Sequence, residues 1–317
     1  MEAILDIVRG MKPITLDEMS GVKLMNRIDT KYLVTEAQLQ EILLRVRDGY
    51  FAQEVEGKRL SPYSTVYYDT PELTMYLIHH NRHLVRDKVR VRTYVDSNLT
   101  FCEVKHKNNK GRTKKKRIAV EPIPNILDNP EAAAFLAEKQ PYEVDSLSPH
   151  LVTIFDRITL VNYAKTERLT IDCNLRFENL RNGATASMSP LVVMELKQDG
   201  RAHSLLKDVL FDLRIKPYKI SKYCIGTCLT RPEVKQNRFK KKLRHIEKMR
   251  RGEPMCSPDK PMCSPDKPMC SPDKPMCSPD KPMCSPDKSM CSPDKPMCSP
   301  DKPMCSPNEP MCLPNKP

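Results

Sequence analysis

Val85-Arg86-Asp87-Lys88-Val89-Arg90-Val91-Arg92-Thr93-Tyr94-Val95 and, three residues on, Leu99-Thr100-Phe101-Cys102-Glu103-Val104-Lys105-His106-Lys107 decide the fold. Both stretches alternate with a period of two, the signature of half-buried strands. In the first, Lys88, Arg90 and Arg92 share a face against Val89 and Val91. In the second, Glu103, Lys105 and Lys107 share a face against Cys102 and Val104.

The same pattern recurs on either side. Residues 113–120 align Lys115 and Arg117 against Ile118 and Val120, and 27–34 align Arg27, Asp29 and Lys31 against Ile28 and Tyr32. In 156–163 Arg157 opposes Ile158 and Leu160; in 168–174 Arg168 and Asp172 oppose Leu169 and Ile171; in 191–197 Glu195 and Lys197 oppose Met194 and Leu196. With 63–69, eight strands are predicted. Helices are predicted after the capping box Thr35-Glu36-Ala37-Gln38, from Thr70-Pro71-Glu72 onward, over 131–138, over 203–213 and over 220–229. Connections are short and no regular βαβ alternation appears, so an α+β fold with a largely antiparallel sheet is expected.

An ordinary solvent-facing sheet surface mixes Thr, Ser, Gln and both charge signs. Here four strands offer paired or tripled Arg and Lys, and three more offer one each. Like charges opposite one another on neighbouring strands are destabilising, by about 4 kcal/mol for a pair 4 Å apart at an effective dielectric of 20. Such a face is expected where a polyanion binds. Curled into a barrel, it would line a cationic tunnel, with Arg giving bidentate contacts to phosphate and Lys adaptable charge. Glu195, with Glu103 or Asp172, could supply hard oxygen ligands to Mg²⁺ or Mn²⁺.

Composition agrees once it is divided. The chain of 317 residues has 53 Lys+Arg, 40 Asp+Glu and 13 Cys. From Pro254 the heptapeptide Pro-Met-Cys-Ser-Pro-Asp-Lys repeats through nine units, which hold nine of the cysteines and no net charge, so residues 1–253 carry the whole +13. Prolines three or four residues apart forbid helix and sheet ladders, and a disordered or polyproline-like tail is expected. Its regular cysteines raise a soft-metal reading, against which stands an expanded repeat carried as a solvated appendage. Cys102, Cys173, Cys224 and Cys228 lack metal-ligand spacing and read as buried thiols. No Walker phosphate loop, apolar membrane span or signal-peptide pattern is present, and a cytoplasmic protein is expected.

The runs Asn26-Arg27-Ile28-Asp29-Thr30-Lys31-Tyr32, Tyr67-Tyr68-Asp69-Thr70, Arg90-Val91-Arg92, Glu103-Val104-Lys105, Lys115-Lys116-Arg117, Glu195-Leu196-Lys197 and Ser221-Lys222-Tyr223 together resemble the catalytic domain of the vacuolar transporter chaperone complex. Bacterial members are called polyphosphate polymerase domain-containing proteins, within the triphosphate tunnel metalloenzymes. The resemblance covers roughly residues 12–230 and implies an eight-stranded antiparallel β-tunnel flanked by helices, with ATP and polyphosphate as ligands and Mn²⁺ or Mg²⁺ as cofactor. It implies transfer of the ATP γ-phosphate to a growing chain. Lys31, Arg90, Arg92, Lys105 and Lys115 would line the phosphate path, joined by Arg157 and Arg168. Glu195 would be the metal ligand, and Ser221 with Lys222 would close one end. Arg27, Lys88, Arg117 and Lys197 complete the phosphate-binding face by their alternation.

Two departures stand out. CYTH-type tunnel hydrolases begin with Glu-x-Glu-x-Lys, where this chain has Arg27-x-Asp29-x-Lys31, which speaks against two-metal hydrolysis. The eukaryotic complex also carries membrane helices, so translocation would need a separate membrane protein partner. The expected organisation is a tunnel domain over 1–235, a basic helical extension over 236–253 and the repeat over 254–317. A triphosphate hydrolase of the same fold and a non-catalytic polyphosphate-binding module remain as alternatives. Specific nucleic-acid binding is not expected, because the basic residues alternate with aliphatics rather than aromatics. Tyr67 and Tyr68 read as packing residues, and His79, His80 and His83 as solvated helix histidines.

Overall fold

The computed structural model describes residues 1–20, 27–122, 125–200 and 202–252; the repeat, and with it the reading of a disordered tail, lies outside these residues, as does the side chain of Arg27. In chain order the helices are α1 Glu2–Arg9, α2 Leu16–Ser20, α3 Glu36–Val46, α4 Thr74–His80, α5 Pro130–Lys139, α6 Leu205–Asp212, α7 Lys222–Thr230 and α8 Lys240–Arg250. The strands are β1 Lys12–Ile14, β2 Arg27–Thr35, β3 Tyr50–Gln53, β4 Ser61–Asp69, β5 Arg86–Tyr94, β6 Leu99–Lys107, β7 Thr113–Val120, β8 Ser148–Asn162, β9 Glu167–Asn179, β10 Thr185–Ser187 and β11 Leu191–Asp199.

All eight predicted strands form one continuous antiparallel path, in the order β2-β11-β9-β8-β4-β5-β6-β7. Three short strands escaped prediction: β3 pairs the end of β8, β1 runs parallel to β3, and β10 pairs β9. Among the described residues no ladder joins β7 to β2, so backbone hydrogen bonds do not close the curve.

Helices cover the aliphatic outer face. Tyr32, Val34, Ile158, Leu160, Leu169, Ile171, Val192 and Met194 pack beneath α1, α3 and α6, while Val89, Cys102 and Val104 pack against α5. Each such side chain, when fully buried, contributes roughly 1.5–3 kcal/mol, which offsets the repulsion concentrated on the opposite face.

That inner face changes character along its length. At one end it carries Leu33, Leu151, Leu175, Phe177, Leu191 and Val193, and these bury α7 through Tyr223, Cys224, Ile225 and Cys228. This explains why β8 begins at Ser148 rather than near 156 and β9 continues to Asn179: with apolar groups on both faces, alternation disappears and its signal with it. Gly226 lets α7 sit so close, since a Cβ there would lie 2.7 Å from Leu151 Cδ2 and would also strike the Phe177 ring.

Two local predictions need correcting. The helix expected from Thr70 begins only at Thr74, after Leu73 in the left-handed region (φ 60°). Asp69 and Thr70 cap it from outside: Asp69 accepts from the amides of Met75 and Tyr76 at 2.8 and 2.9 Å, and Thr70 Oγ1 accepts from that of Thr74 at 3.1 Å. Of the three histidines only His83 is exposed; His80 is buried, and His79 Nδ1 lies 3.1 Å from Cys224 Sγ. The capping box at Thr35 and four buried free cysteines are as expected.

Candidate polyanion site

Three carboxylates organise the inner face, and each sits between two cations. On β6, Glu103 accepts from Arg90 Nε at 2.7 Å and Lys115 Nζ at 2.9 Å. On β9, Asp172 accepts from Arg157 Nε and Nη2 at 2.6 and 2.9 Å, and from Lys222. On β11, Glu195 accepts from Lys31 and, at 2.6 Å, from Lys197. The register explains this, because Arg90–Glu103, Arg157–Asp172 and Lys31–Glu195 are direct cross-strand partners. Opposite charges facing one another across a ladder are the favourable case of the cross-strand rule.

Aromatic rings hold further cations, against expectation. Tyr63 and Phe155 stack with centroids 5.3 Å apart and an interplanar angle of 10°. Over them lie Arg92 (5.6 and 5.8 Å), Arg157 (4.9 and 5.3 Å) and, over Phe155, Lys222 at 3.8 Å. Arg117 lies 4.3 Å over Phe101, and Arg92 Nε donates to Thr65 Oγ1 at 3.1 Å. The basic face therefore does carry aromatics, set among its cations, and the argument against nucleic acid from their lack does not hold. Desolvated cation–π contacts contribute about 2 kcal/mol each.

Electrostatics record how much positive charge is gathered. Burial alone would raise Glu103, yet Arg90, Arg92 and Lys115 bring it down to about 2. Asp172 is likewise held well below the usual carboxylate range by Arg157 and Lys222, despite its burial. Burial, then the charges of Lys197 and Lys222, bring Lys31 down to about 7; burial and Arg157 bring Lys197 to about 7; burial and Arg157 leave Lys222 at about 8. The charge of Arg90, then burial, push Lys105 far down. Tyr67 is buried, which raises a phenol, but Arg90, Arg92, Lys88 and Lys222 take it below its ordinary value.

The predicted residues thus fall into connected groups. Arg90, Arg92, Lys105, Lys115, Arg157 and Lys222 surround Glu103, Asp172 and the aromatic pair. Lys31 and Lys197 surround Glu195, and Arg168 lies directly across from Lys197 in the ladder. Lys88 Nζ donates to Ser221 Oγ at 3.0 Å, and Ser221 caps α7 by accepting from the Cys224 amide. Arg117, exposed on the edge strand β7, is the direct cross-strand partner of Glu103 and lies over Phe101, at the rim of the buried group.

For a divalent ion the three carboxylates differ. Glu103 and Asp172 have 0% and 5% of their side chains exposed and are enclosed by guanidinium and ammonium groups, so their arrangement fits cation clamps rather than metal ligands. Glu195 is 21% exposed, and a single carboxylate with substrate phosphates is a usual Mg²⁺ donor set. No three metal-ligating side chains gather among the described residues.

Sequence reasoning missed Asp69 and Tyr223 as a unit. The Tyr223 hydroxyl donates to Asp69 Oδ2 at 2.5 Å, tying α7 to the cap of α4 and fixing where Ser221 and Lys222 project. Both residues lie in motifs quoted above, but only the fold brings Tyr223 to Asp69 across 154 positions.

The inner face of the antiparallel sheet gathers clamped cations and is stopped by a helix whose first residue joins a clamp. The chain belongs to the VTC domain family: the model of that domain matches residues 26–231, well over half of the sequence. No curated protein matches. Among solved structures, a candidate adenylate cyclase from Vibrio parahaemolyticus aligns at 13% identity and a TM-score of 0.37, covering 63% of this chain and 97% of that one. HpAC1 from Hippeastrum, a candidate adenylyl cyclase with a dominant triphosphatase activity, aligns at 13% identity and a TM-score of 0.42, covering 63% and 94%. A conserved hypothetical protein from Pyrococcus furiosus aligns at 10% identity and 0.36, covering 63% and 99%.

Proposed function

We propose that the protein is a phosphotransferase that builds polyphosphate from ATP. The observation that carries this reading is the convergence of Arg90, Arg92, Arg157, Lys105 and Lys222 on one inner face, around only two buried carboxylates. A triphosphate supplies the missing negative charge, and bidentate Arg contacts set its orientation.

Phosphoryl transfer asks for positioning and charge neutralisation more than for a covalent nucleophile. An anionic oxygen at the end of the polyphosphate chain attacks the γ-phosphorus of ATP in line; the bond from that phosphorus to the β-bridging oxygen breaks, and ADP leaves. No general base is needed, since the attacking oxygen carries no proton. Arg92 and Arg157, fixed over Tyr63 and Phe155, are preorganised donors to the transferred group, whose charge they stabilise without reorganising. Lys222 and Ser221 hold the end of the path nearest α7. Glu195 would hold Mn²⁺ or Mg²⁺, which neutralises phosphate charge when bound.

Incubation with ATP and Mn²⁺, with products resolved on a gel and ADP and phosphate measured, tests the proposal. A polyphosphate ladder with equimolar ADP is expected. Free phosphate without a ladder would identify a hydrolase, and retained polyphosphate with no turnover a binding module; either result overturns the synthetic reading.

A further inference from the structure

Inside the site, carboxylates compensate the cations; toward the α7 end of β5 and β6 that compensation stops. Arg86 faces Lys107, and Lys88 faces Lys105, as direct cross-strand partners. The one acid nearby on these strands, Asp87, points to the other face and holds His106 Nδ1 at 2.7 Å. Lys219 precedes Ser221 by two residues, and its carbonyl accepts from Lys242 Nζ of α8. The Tyr218 hydroxyl donates to the Lys242 carbonyl at 3.2 Å, and its ring stacks on His245 at 4.8 Å, so α8 is seated firmly against this segment. Among the described residues none of Arg86, Lys88, Lys107, Lys219 and Lys242 has a carboxylate within ion-pair distance.

Like charges held across a ladder with no counter-ion raise the energy of the folded protein, and a solvated surface has no need to collect them from two strands, a loop and a helix. We infer that these cations form an external lane for the polyphosphate chain, taking it past the N-terminus of α7 once it outgrows the clamped cations. This rests on the polymerase reading and adds the course of the polymer to it. The neighbourhood is strongly positive throughout: burial, then Lys88, Arg86, Lys242 and Lys107, push the His79 imidazole down to about 2. The lane suits an inorganic chain better than a nucleic acid, since of the rings beside it Phe239, under Lys242, is buried and Tyr218 is half-buried and already stacked.

The test uses the full chain carrying Arg86→Gln, Lys107→Gln and Lys219→Gln together, none of them among the clamped cations. Wild type and variant are titrated with tripolyphosphate and with long-chain polyphosphate over a range of salt. Long-chain affinity is expected to fall at least tenfold at low salt, and its log–log salt slope to flatten by about 2, at roughly 0.7 per lost contact for a single flexible strand. Tripolyphosphate affinity should hold, and the melting temperature should hold or rise as the cross-strand repulsion is relieved. Unchanged long-chain affinity, or an equal loss for tripolyphosphate, would overturn the lane alone. A wild type that binds neither ligand would overturn the polymerase reading with it. A single-stranded oligonucleotide that binds as tightly and loses as much would also overturn the lane, by showing a general polyanion surface.

Discussion

Arg157 on β8 and Asp172 on β9 face each other directly in the ladder, and the guanidinium grips both carboxylate oxygens, at 2.6 and 2.9 Å. Lys222, the first residue of α7, reaches the same carboxylate. One acid thereby joins the sheet to the helix that stops it.

Asp172→Asn removes the charge and keeps the shape, leaving Arg157 and Lys222 enclosed without their anion. Breaking a buried pair this way costs about 3–5 kcal/mol. A matching fall in urea stability is expected, with most of it restored by tripolyphosphate, which replaces the lost anion. Recovery no larger than that of wild type would separate the pair from the anion site.

Arg90→Gln addresses the second clamp. Glu103 is then left with Lys115, and stability should fall by about 3–5 kcal/mol at pH 7. The folded Glu103 titrates at about 2, below its ordinary 4.5, so its contribution is complete above about pH 4.5 and is lost as pH falls through 2. The gap between wild type and variant should therefore narrow across that window in urea titrations. A gap independent of pH would assign the loss to packing.

Lysines 31 and 197 at about 7 and Lys222 at about 8 lie below their ordinary 10.5. Over the window from about pH 7 to about pH 10.5 the unfolded chain holds more protons than the folded one, so these groups make the ligand-free protein more stable as pH rises. Anion affinity moves the opposite way as ammonium charge is lost, and binding draws protons in. Calorimetry at pH 8 with EDTA, in buffers of differing ionisation enthalpy, should show proton uptake with tripolyphosphate. No uptake would mean that these lysines are charged before the anion arrives.

Gly226→Ala tests whether the seat of α7 matters to chemistry it does not touch. Its methyl would meet Leu151 and Phe177, and overpacking typically costs about 1–3 kcal/mol. Displacing α7 moves Ser221 and Lys222, so tripolyphosphate affinity should fall along with the melting temperature. A lower melting temperature with unchanged affinity would detach α7 from the site.

Much of this site was readable in the sequence because a period of two assigns faces without knowledge of neighbours. Arg90, Arg92, Lys105, Arg157 and Asp172 fell on one surface by parity alone. What parity cannot supply is register, so it does not show Glu103 between Arg90 and Lys115 or Asp172 between Arg157 and Lys222. Nor could it supply the stacked pair: Tyr63 was read only as the start of a strand, and Phe155 lies in the stretch of β8 packed on both faces, where alternation fails. The late start of α4 was hidden for a related reason, since the cap comes from Asp69, outside the helix, as well as from the expected Thr70.

The central claim, that the converged cations take a triphosphate, is tested most directly with Arg92. It is buried, donates to Thr65 and lies over two rings, but burial and the charges of Arg90 and Arg157 bring it down to about 10, so relief of that repulsion offsets the lost contacts and Arg92→Gln should keep the fold. In calorimetric titrations with tripolyphosphate the account predicts tight one-to-one binding to wild type and at least tenfold weaker binding to Arg92→Gln, at a melting temperature close to that of wild type. Equal affinities for the two proteins would contradict it.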